Sequence, residues 1–113
     1  MSQNPGIGAN STQTQPVSTK TPLTALTPTT QTVGITSGQV VASNASRKGL
    51  AIINLSTNVI SLGFGASAAV LNSGITLTQY GSVWQTSEYD FVTSAVNAIA
   101  SLGSSVISIQ EYQ

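Results

Sequence analysis

Two short apolar segments on either side of a polar break constrain what the middle of this chain can form. Residues 50–55 are almost unbroken apolar sequence, residues 56–58 are polar, and residues 59–64 alternate apolar side chains with Ser61 and Gly63. This pattern is typical of two β-strands, and the polar break between them predicts a β-hairpin over residues 46–65. Because the first run is apolar on both faces, we expect its own domain to cover one face and a sister subunit or the N-terminal segment to cover the other. The hairpin residues expected in the core or in subunit contacts are Leu50, Ile52, Ile53, Leu55, Ile60, Leu62 and Phe64.

Similar short segments follow one another from residue 31 onward. Turn signals separate β-type runs at residues 32–35, 39–43, 75–78, 82–86 and 105–112. Residues 95–100 fit either a helix face or a strand, and as a strand they would form a final hairpin closed by residues 101–104. About eight short strands with turn signals every ~8–12 residues predict an all-β fold, an antiparallel β-sandwich or a jelly-roll-like barrel.

Residues 1–30 differ in composition from residues 31–113. All four prolines lie there among threonine and glutamine, and the one charge is Lys20. Such sequence favours extended backbone and has little apolar surface, so we predict an extended N-terminal arm over 1–30 and a β-domain over 31–113. Ordering the arm costs roughly 30–60 kcal/mol of backbone entropy. We therefore expect it to lie on a neighbouring molecule, with Val17, Leu23 and Leu26 as anchors; the alternative is an arm wrapped on its own domain.

The chain is unusually poor in charge. Three Lys or Arg and three Asp or Glu make 5% of the residues, with a net charge of zero, against about 25% in an ordinary soluble domain. Little charge keeps the copies apart, so we expect a surface that contacts other chains in an assembly. The alternative is a neutral monomer kept soluble by Ser, Thr, Asn and Gln. A domain of about 80 residues without disulfides or metals has a small core, so we favour the assembly and expect a homotrimer.

The same composition excludes several classes of function. A net charge of zero provides no basic stripe for nucleic acid. The absence of cysteine excludes disulfides and thiolate metal sites, and the absence of histidine removes the commonest general base and metal ligand. We therefore expect no enzyme activity, no cofactor and no metal. The sequence shows no signal-peptide pattern and no apolar run long enough to span a bilayer, so we expect synthesis in a cytoplasm and no membrane partner.

The few charged residues offer only weak candidate sites. Glu88 and Asp90 are the only closely spaced acids, and two carboxylates alone make a poor cation site; a solvated turn is the simpler interpretation. Arg47 and Lys48 form the only basic pair. They are candidate surface contacts for an acidic patch of a partner, although protecting the end of a strand or pairing with Glu88, Asp90 or Glu111 is the alternative that we favour.

Four of the six aromatic residues lie within a short stretch, namely Tyr80, Trp84, Tyr89 and Phe91. Trp84 and Tyr89 are candidate surface contacts, and the cluster could form a sugar-stacking or partner-binding platform. Packing in the core or between subunits is the alternative that we favour, since aromatic residues supply most of the large buried area in a small domain.

The residues around the predicted hairpin also match a recurrent pattern. In order along the chain, the matching residues are Arg47-Lys48-Gly49-Leu50, Ile52, Asn54, Ile60, Phe64-Gly65, Gly74-Ile75-Thr76-Leu77, Gly81, Trp84, Ala95-Val96-Asn97-Ala98-Ile99-Ala100 and Ile109-Gln110-Glu111. Over roughly residues 44–112 the chain resembles small virion proteins of tailed bacteriophages, which are head decoration, cement or fibre-base components. Residues 91–94 depart from the pattern, which has Tyr and Gly before the strand at 95–100.

The resemblance implies a structural role without catalytic residues, and it favours a strand over a helix at residues 95–100. We expect a capsid decoration (cement) protein, made in the host cytoplasm, on the outer surface of a phage head. Its arm would tie subunits of the major capsid protein together. The alternatives are a head-fibre or neck/tail adaptor anchored at a vertex or portal, and a carbohydrate-binding module.

Overall fold

The computed structural model of the chain describes residues 22–87 and 92–113, and in these ranges all regular structure is β. The strands are β1 (Thr29–Val33), β2 (Gly38–Val41), β3 (Gly49–Asn54), β4 (Ile60–Phe64), β5 (Ile75–Leu77), β6 (Val83–Gln85), β7 (Val96–Ala100) and β8 (Ser105–Tyr112). Eight short strands were expected from the alternating segments, and the segment at residues 95–100 forms a strand, β7.

The eight strands form two four-stranded antiparallel sheets. Sheet A has the order β1-β8-β3-β6, and sheet B has the order β2-β7-β4-β5. The pairs β1–β8, β2–β7, β3–β6 and β4–β5 are all hydrogen-bonded ladders. A chain whose first half pairs with its second half in this nested way is a long hairpin rolled into two facing sheets, the jelly-roll arrangement. The predicted all-β sandwich is therefore confirmed, with jelly-roll topology.

The core lies between the two sheets, where β3 and β4 face each other. Leu50 and Ile52 of β3 and Ile60 and Leu62 of β4 are buried, whereas Ile53 points outward and is half-buried. Full burial of each such side chain contributes about 1.5–3 kcal/mol. The core consists of Val33, Val40, Val41, Leu50, Ile52, Ile60, Leu62, Leu77, Val96, Ala98, Ala100, Ile107 and Ile109, with Phe64 and Trp84 packed against it.

The predicted hairpin over residues 46–65 is wrong, because its two strands lie in different sheets. β3 pairs with β6 and β8, and β4 pairs with β5 and β7. The polar break crosses from one sheet to the other and is held by Asn54, which is fully buried. Its Nδ2 donates to the carbonyls of Asn58 at 2.8 Å and Leu77 at 3.0 Å, and its Oδ1 accepts from the backbone N–H and the hydroxyl of Ser56. The final hairpin closed by residues 101–104 is wrong for the same reason, since β7 and β8 also belong to opposite sheets.

The β-domain begins earlier than the predicted boundary at residue 31. Thr24 and Gln113 exchange two backbone hydrogen bonds of 2.7 and 2.9 Å, and the Leu26 N–H donates to the Glu111 carbonyl at 2.9 Å. β1 itself begins at Thr29. The last part of the predicted arm therefore runs along β8 of its own domain, as the alternative interpretation of the arm had it. Residues 1–21, with the expected anchor Val17, lie outside the described residues.

Candidate interaction surface

Arg47 lies inside the protein, although the sequence analysis treats it as a candidate surface contact. Its side chain is 0% exposed, and its Nε donates to Oε2 of Glu111 at 2.8 Å. Nη1 donates to the carbonyls of Val92 at 3.1 Å and Ser94 at 2.7 Å, and Nη2 donates to that of Ala42 at 2.6 Å. The surface role is wrong because Glu111 and three carbonyls surround the guanidinium. The alternative pairing with Glu111 is confirmed.

Asn44 connects this buried ion pair to the chain end. Its Nδ2 donates to Oε2 of Glu111 at 3.1 Å and to Oε1 of Gln113 at 3.0 Å. Its backbone N–H donates to the Thr93 carbonyl at 2.8 Å. Together with Arg47, it joins the β2–β3 loop, the segment before β7 and the end of β8 at one end of the sandwich.

This arrangement removes nearly all charge from the described surface. Residues 22–87 and 92–113 contain three charged side chains, Arg47, Lys48 and Glu111. Arg47 and Glu111 satisfy each other, so Lys48 is the one exposed charged side chain in those two ranges. The surface that the described residues offer to a partner therefore carries almost no charge.

The outer face of sheet B is covered by its own β4–β5 loop, residues 65–74. A Cβ on Gly63 would lie 2.9 Å from the backbone nitrogen of Ala69, so the loop packs directly on the strand. Ala69 is buried and its N–H donates to Oγ of Ser37 at 2.8 Å. The N–H of Asn72 donates to Oγ of the buried Ser61 at 2.8 Å. The loop therefore covers the two middle strands of this face, β4 and β7, within the single chain.

The outer face of sheet A is exposed to solvent as far as the described residues show. Val83 is 52% exposed, and Ile53, Leu55 and Val106 are half-buried. By the strand registers, the residues on this face are Thr30, Thr32, Ala51, Ile53, Val83, Gln85, Val106, Ser108 and Gln110. None of them is charged, so this face has the chemistry expected of a neutral contact surface.

A shallow cleft of about 200 Å³ lies beside this face. Its walls include Leu23, Lys48, Gly49 and Tyr112, and a Cβ on Gly49 would come within 3.3 Å of the Tyr112 ring. Small-molecule pockets usually measure ~300–1,000 Å³, so we do not assign it a ligand. Leu23, expected as an arm anchor, lines this cleft and is 52% exposed. Leu26, the other described anchor, is half-buried.

Trp84 does not form an exposed platform. Its ring lies 5.1 Å from that of Phe64 (centroid to centroid), tilted by 47°, and both pack against the core. Tyr80 is 67% exposed. Tyr89 and Phe91 lie outside the described residues, as do the acids Glu88 and Asp90. The described aromatic residues thus favour packing over sugar stacking.

One end of the sandwich carries exposed apolar side chains on its loops, an apolar loop end that was not predicted from the sequence. The β1–β2, β5–β6 and β7–β8 loops carry Ile35, Tyr80 and Leu102, which are 67%, 67% and 62% exposed. In this topology those loops lie at the end opposite the Arg47 ion pair. The available signal was that each of these residues lies next to or close to a turn glycine, where an apolar side chain has no strand to pack against.

The described residues hold no group of three or more acids, histidines or cysteines that could bind a metal ion. Nor do residues 22–87 and 92–113 include a helix long and apolar enough to cross a membrane. Comparisons of the chain with protein-family models, with curated proteins and with solved structures find no match. The resemblance to phage virion proteins therefore stays a prediction.

Proposed function

We propose that this chain is a structural virion protein, a capsid decoration (cement) protein that binds the outside of a phage head. The observation that carries the proposal is the neutral surface, on which Lys48 is the one exposed charged side chain among the described residues. Soluble domains usually keep ~25–35% charged residues on their surface. A surface with as few charges as the described residues have is suited to a densely packed array, in which neighbouring copies would otherwise repel one another.

The fold and the position of the arm support this role. Jelly rolls occur in viral capsids, although also in lectins and cupins, so this support is by analogy. The described chain begins at Pro22 beside the end of β8, at the end of the sandwich that holds Arg47. Pro22 therefore lies at one end of the domain, and the apolar loop end lies at the other.

In this proposal the arm attaches the domain to the major capsid protein, and the domain covers the lattice as an oligomer. Leu26 is already held on its own domain by the hydrogen bond from its backbone N–H to the Glu111 carbonyl. Leu23, exposed beside the cleft, and Val17 remain as the apolar anchors for the capsid. Each contact between an arm and the capsid is weak, and the capsid is stabilised because the contact is repeated over many symmetry-related copies.

The test compares the full chain with a variant lacking residues 1–21, both added to heads of the parent phage that lack the protein. The truncation keeps every described strand and the Thr24–Gln113 bonds, so its fold is retained and only attachment changes. We expect the full chain to bind in hundreds of copies per head, counted by cryo-electron microscopy, and the truncated chain to bind none. Equal binding of both chains contradicts the role of the arm, and copies confined to a vertex or portal would indicate the fibre or neck adaptor instead.

A further inference from the structure

The four edge strands of the sandwich are protected very differently. β5 and β6 are three residues long, and the ladder of β2 is interrupted by a register shift between Gln39 and Val41. Short length and bulges are common ways of preventing an edge from pairing with another chain. β1 has neither, because its five residues pair with β8 in one unbroken register and contain no charge and no proline.

The hydrogen-bonding pattern shows which backbone groups of this edge are open. Alternate residues of an antiparallel strand direct their N–H and C=O groups to opposite sides. On β8 and just beyond it, Glu111 bonds with Leu26 and Gln113 bonds with Thr24, so odd-numbered residues face the N-terminal segment and β1.

The even-numbered residues of β8 face β3, since the Val106 carbonyl accepts from the Leu55 N–H at 2.9 Å. The register places Thr30 opposite Ser108 and Thr32 opposite Val106. Thr30 and Thr32 therefore direct their N–H and C=O groups away from β8, toward an edge with which no described strand pairs.

We propose that β1 pairs antiparallel with β1 of a second copy, across a two-fold axis at Gln31. In this register Thr30 of each copy lies opposite Thr32 of the other, and the outward groups of both residues form four backbone hydrogen bonds. The four residues from Thr29 to Thr32 are exposed and uncharged, so two identical edges meet without repulsion, as a self-complementary contact requires. Threonine pairs facing each other across strands add further stabilisation.

The contact joins sheet A of one copy to sheet A of the other, which gives a continuous sheet of eight strands and a dimer. It is small, so it is weak between dilute molecules and becomes effective when copies are held side by side. The β1–β1 pairing does not depend on the virion role. A two-fold contact alone joins two copies and not three, so finding this pairing as the only contact would contradict the homotrimer expected from the sequence.

The test is a disulfide trap, which is clean because the chain has no cysteine. In the proposed register the two Gln31 residues face each other with Cα atoms about 4.5 Å apart, within the ~4.4–6.8 Å range of disulfides. Gln31→Cys should form a covalent dimer in a glutathione redox buffer. Thr29→Cys is the matched control, equally exposed on the same strand, but its two Cα atoms would lie about 14 Å apart. We expect cross-linking of Gln31→Cys to be at least about tenfold faster than that of Thr29→Cys, and equal rates overturn the proposal.

Two further variants, a chain lacking residues 1–21 and Gln13→Cys, identify which strand pairs with the edge of β1. Residues 11–15 read STQTQ and β1 reads TTQTV, so the N-terminal segment is the competing strand. The Gln31→Cys dimer should persist when residues 1–21 are removed. A trap that requires those residues, or that forms only when Gln13→Cys is mixed with Gln31→Cys, overturns the β1–β1 pairing. A full-length Gln31→Cys chain that forms the dimer but does not bind heads would count against the virion role alone.

Discussion

Single buried polar side chains close both ends of this sandwich. Arg47 at one end and Asn54 at the other are each fully buried and bonded to carbonyls of distant segments. A buried guanidinium loses several kcal/mol of hydration, which only an acid partner and well-placed acceptors can offset. Arg47 has both, since Glu111 and three carbonyls receive its N–H groups. These two residues determine where the connecting loops can lie.

Replacing Arg47 with alanine should therefore destabilise the domain strongly. The change removes the Arg47 donors from three carbonyls and from Glu111, which keeps only the Asn44 amide, and breaking a buried pair in this way costs about 3–5 kcal/mol. We expect that loss in the free energy of urea unfolding, with a melting temperature lower by more than about 10 °C. Lys48→Ala is the matched control, because Lys48 is exposed, and it should stay within about 0.5 kcal/mol of the parent. An Arg47→Ala variant as stable as Lys48→Ala contradicts the role given to the ion pair.

The different burial of Arg47 and Lys48 could not be predicted from the sequence. They are adjacent basic residues, and the local pattern gives no reason to bury one and expose the other. The difference comes from Glu111, which is 64 positions away in sequence. A pairing with Glu111 could be named among three alternatives, but choosing it requires knowing that β3 and β8 are neighbours.

At the scale of elements, the sequence predicted strands well and strand partners badly. Alternation within residues 59–64 and 105–112 is a local property, so it located β4 and β8 closely. Partners in a jelly roll are far apart in sequence, and a short polar break fits a hairpin turn or a crossing between sheets equally well. The burial of Asn54 decided between the two. Nothing in the local pattern of residues 65–74 indicated that they would cover sheet B.

That covering loop gives a prediction for Gly63. A Cβ there would meet the backbone of Ala68 and Ala69 at 2.9–3.0 Å, so Gly63→Ala must lift the loop from the strand. We expect a loss of about 1–3 kcal/mol in unfolding free energy, with faster amide exchange at Ala69 and Asn72, whose N–H groups bond to Ser37 and Ser61.

Gly38→Ala is the control for this substitution. Gly38 is also a strand glycine of sheet B, but a Cβ there meets nothing within 4 Å. It should leave stability within about 1 kcal/mol of the parent. If Gly63→Ala and Gly38→Ala change amide exchange in the β4–β5 loop equally, close packing against Gly63 does not hold the loop in place.

For the whole molecule, the boundary between arm and domain can be tested by two truncations. Removing residues 1–21 leaves all described contacts in place, so the unfolding free energy should be unchanged. Removing residues 1–28 also deletes the bonds of Thr24 and Leu26 to the end of β8, and the bond from Nε2 of Gln110 to the Leu26 carbonyl. At about 0.5–1.5 kcal/mol for each hydrogen bond, the longer truncation should cost several kcal/mol in urea unfolding. Equal stability of the two would place the start of the domain at β1, at residue 29.

The neutral surface makes a prediction about salt. Charge-driven association weakens steeply as ionic strength rises, because exposed charges are screened beyond about 10 Å at 0.1 M salt. Here Lys48 is the one exposed charged side chain of the described residues, so association must rest on apolar area and backbone hydrogen bonds, which salt does not screen. The dissociation constant for particles, or for the chain with itself, should change by less than about threefold between 0.05 and 1 M sodium chloride and should fall in ammonium sulfate. A loss of binding of tenfold or more in sodium chloride would place the attachment on Lys20 or on the acids Glu88 and Asp90, and would remove the argument from surface neutrality.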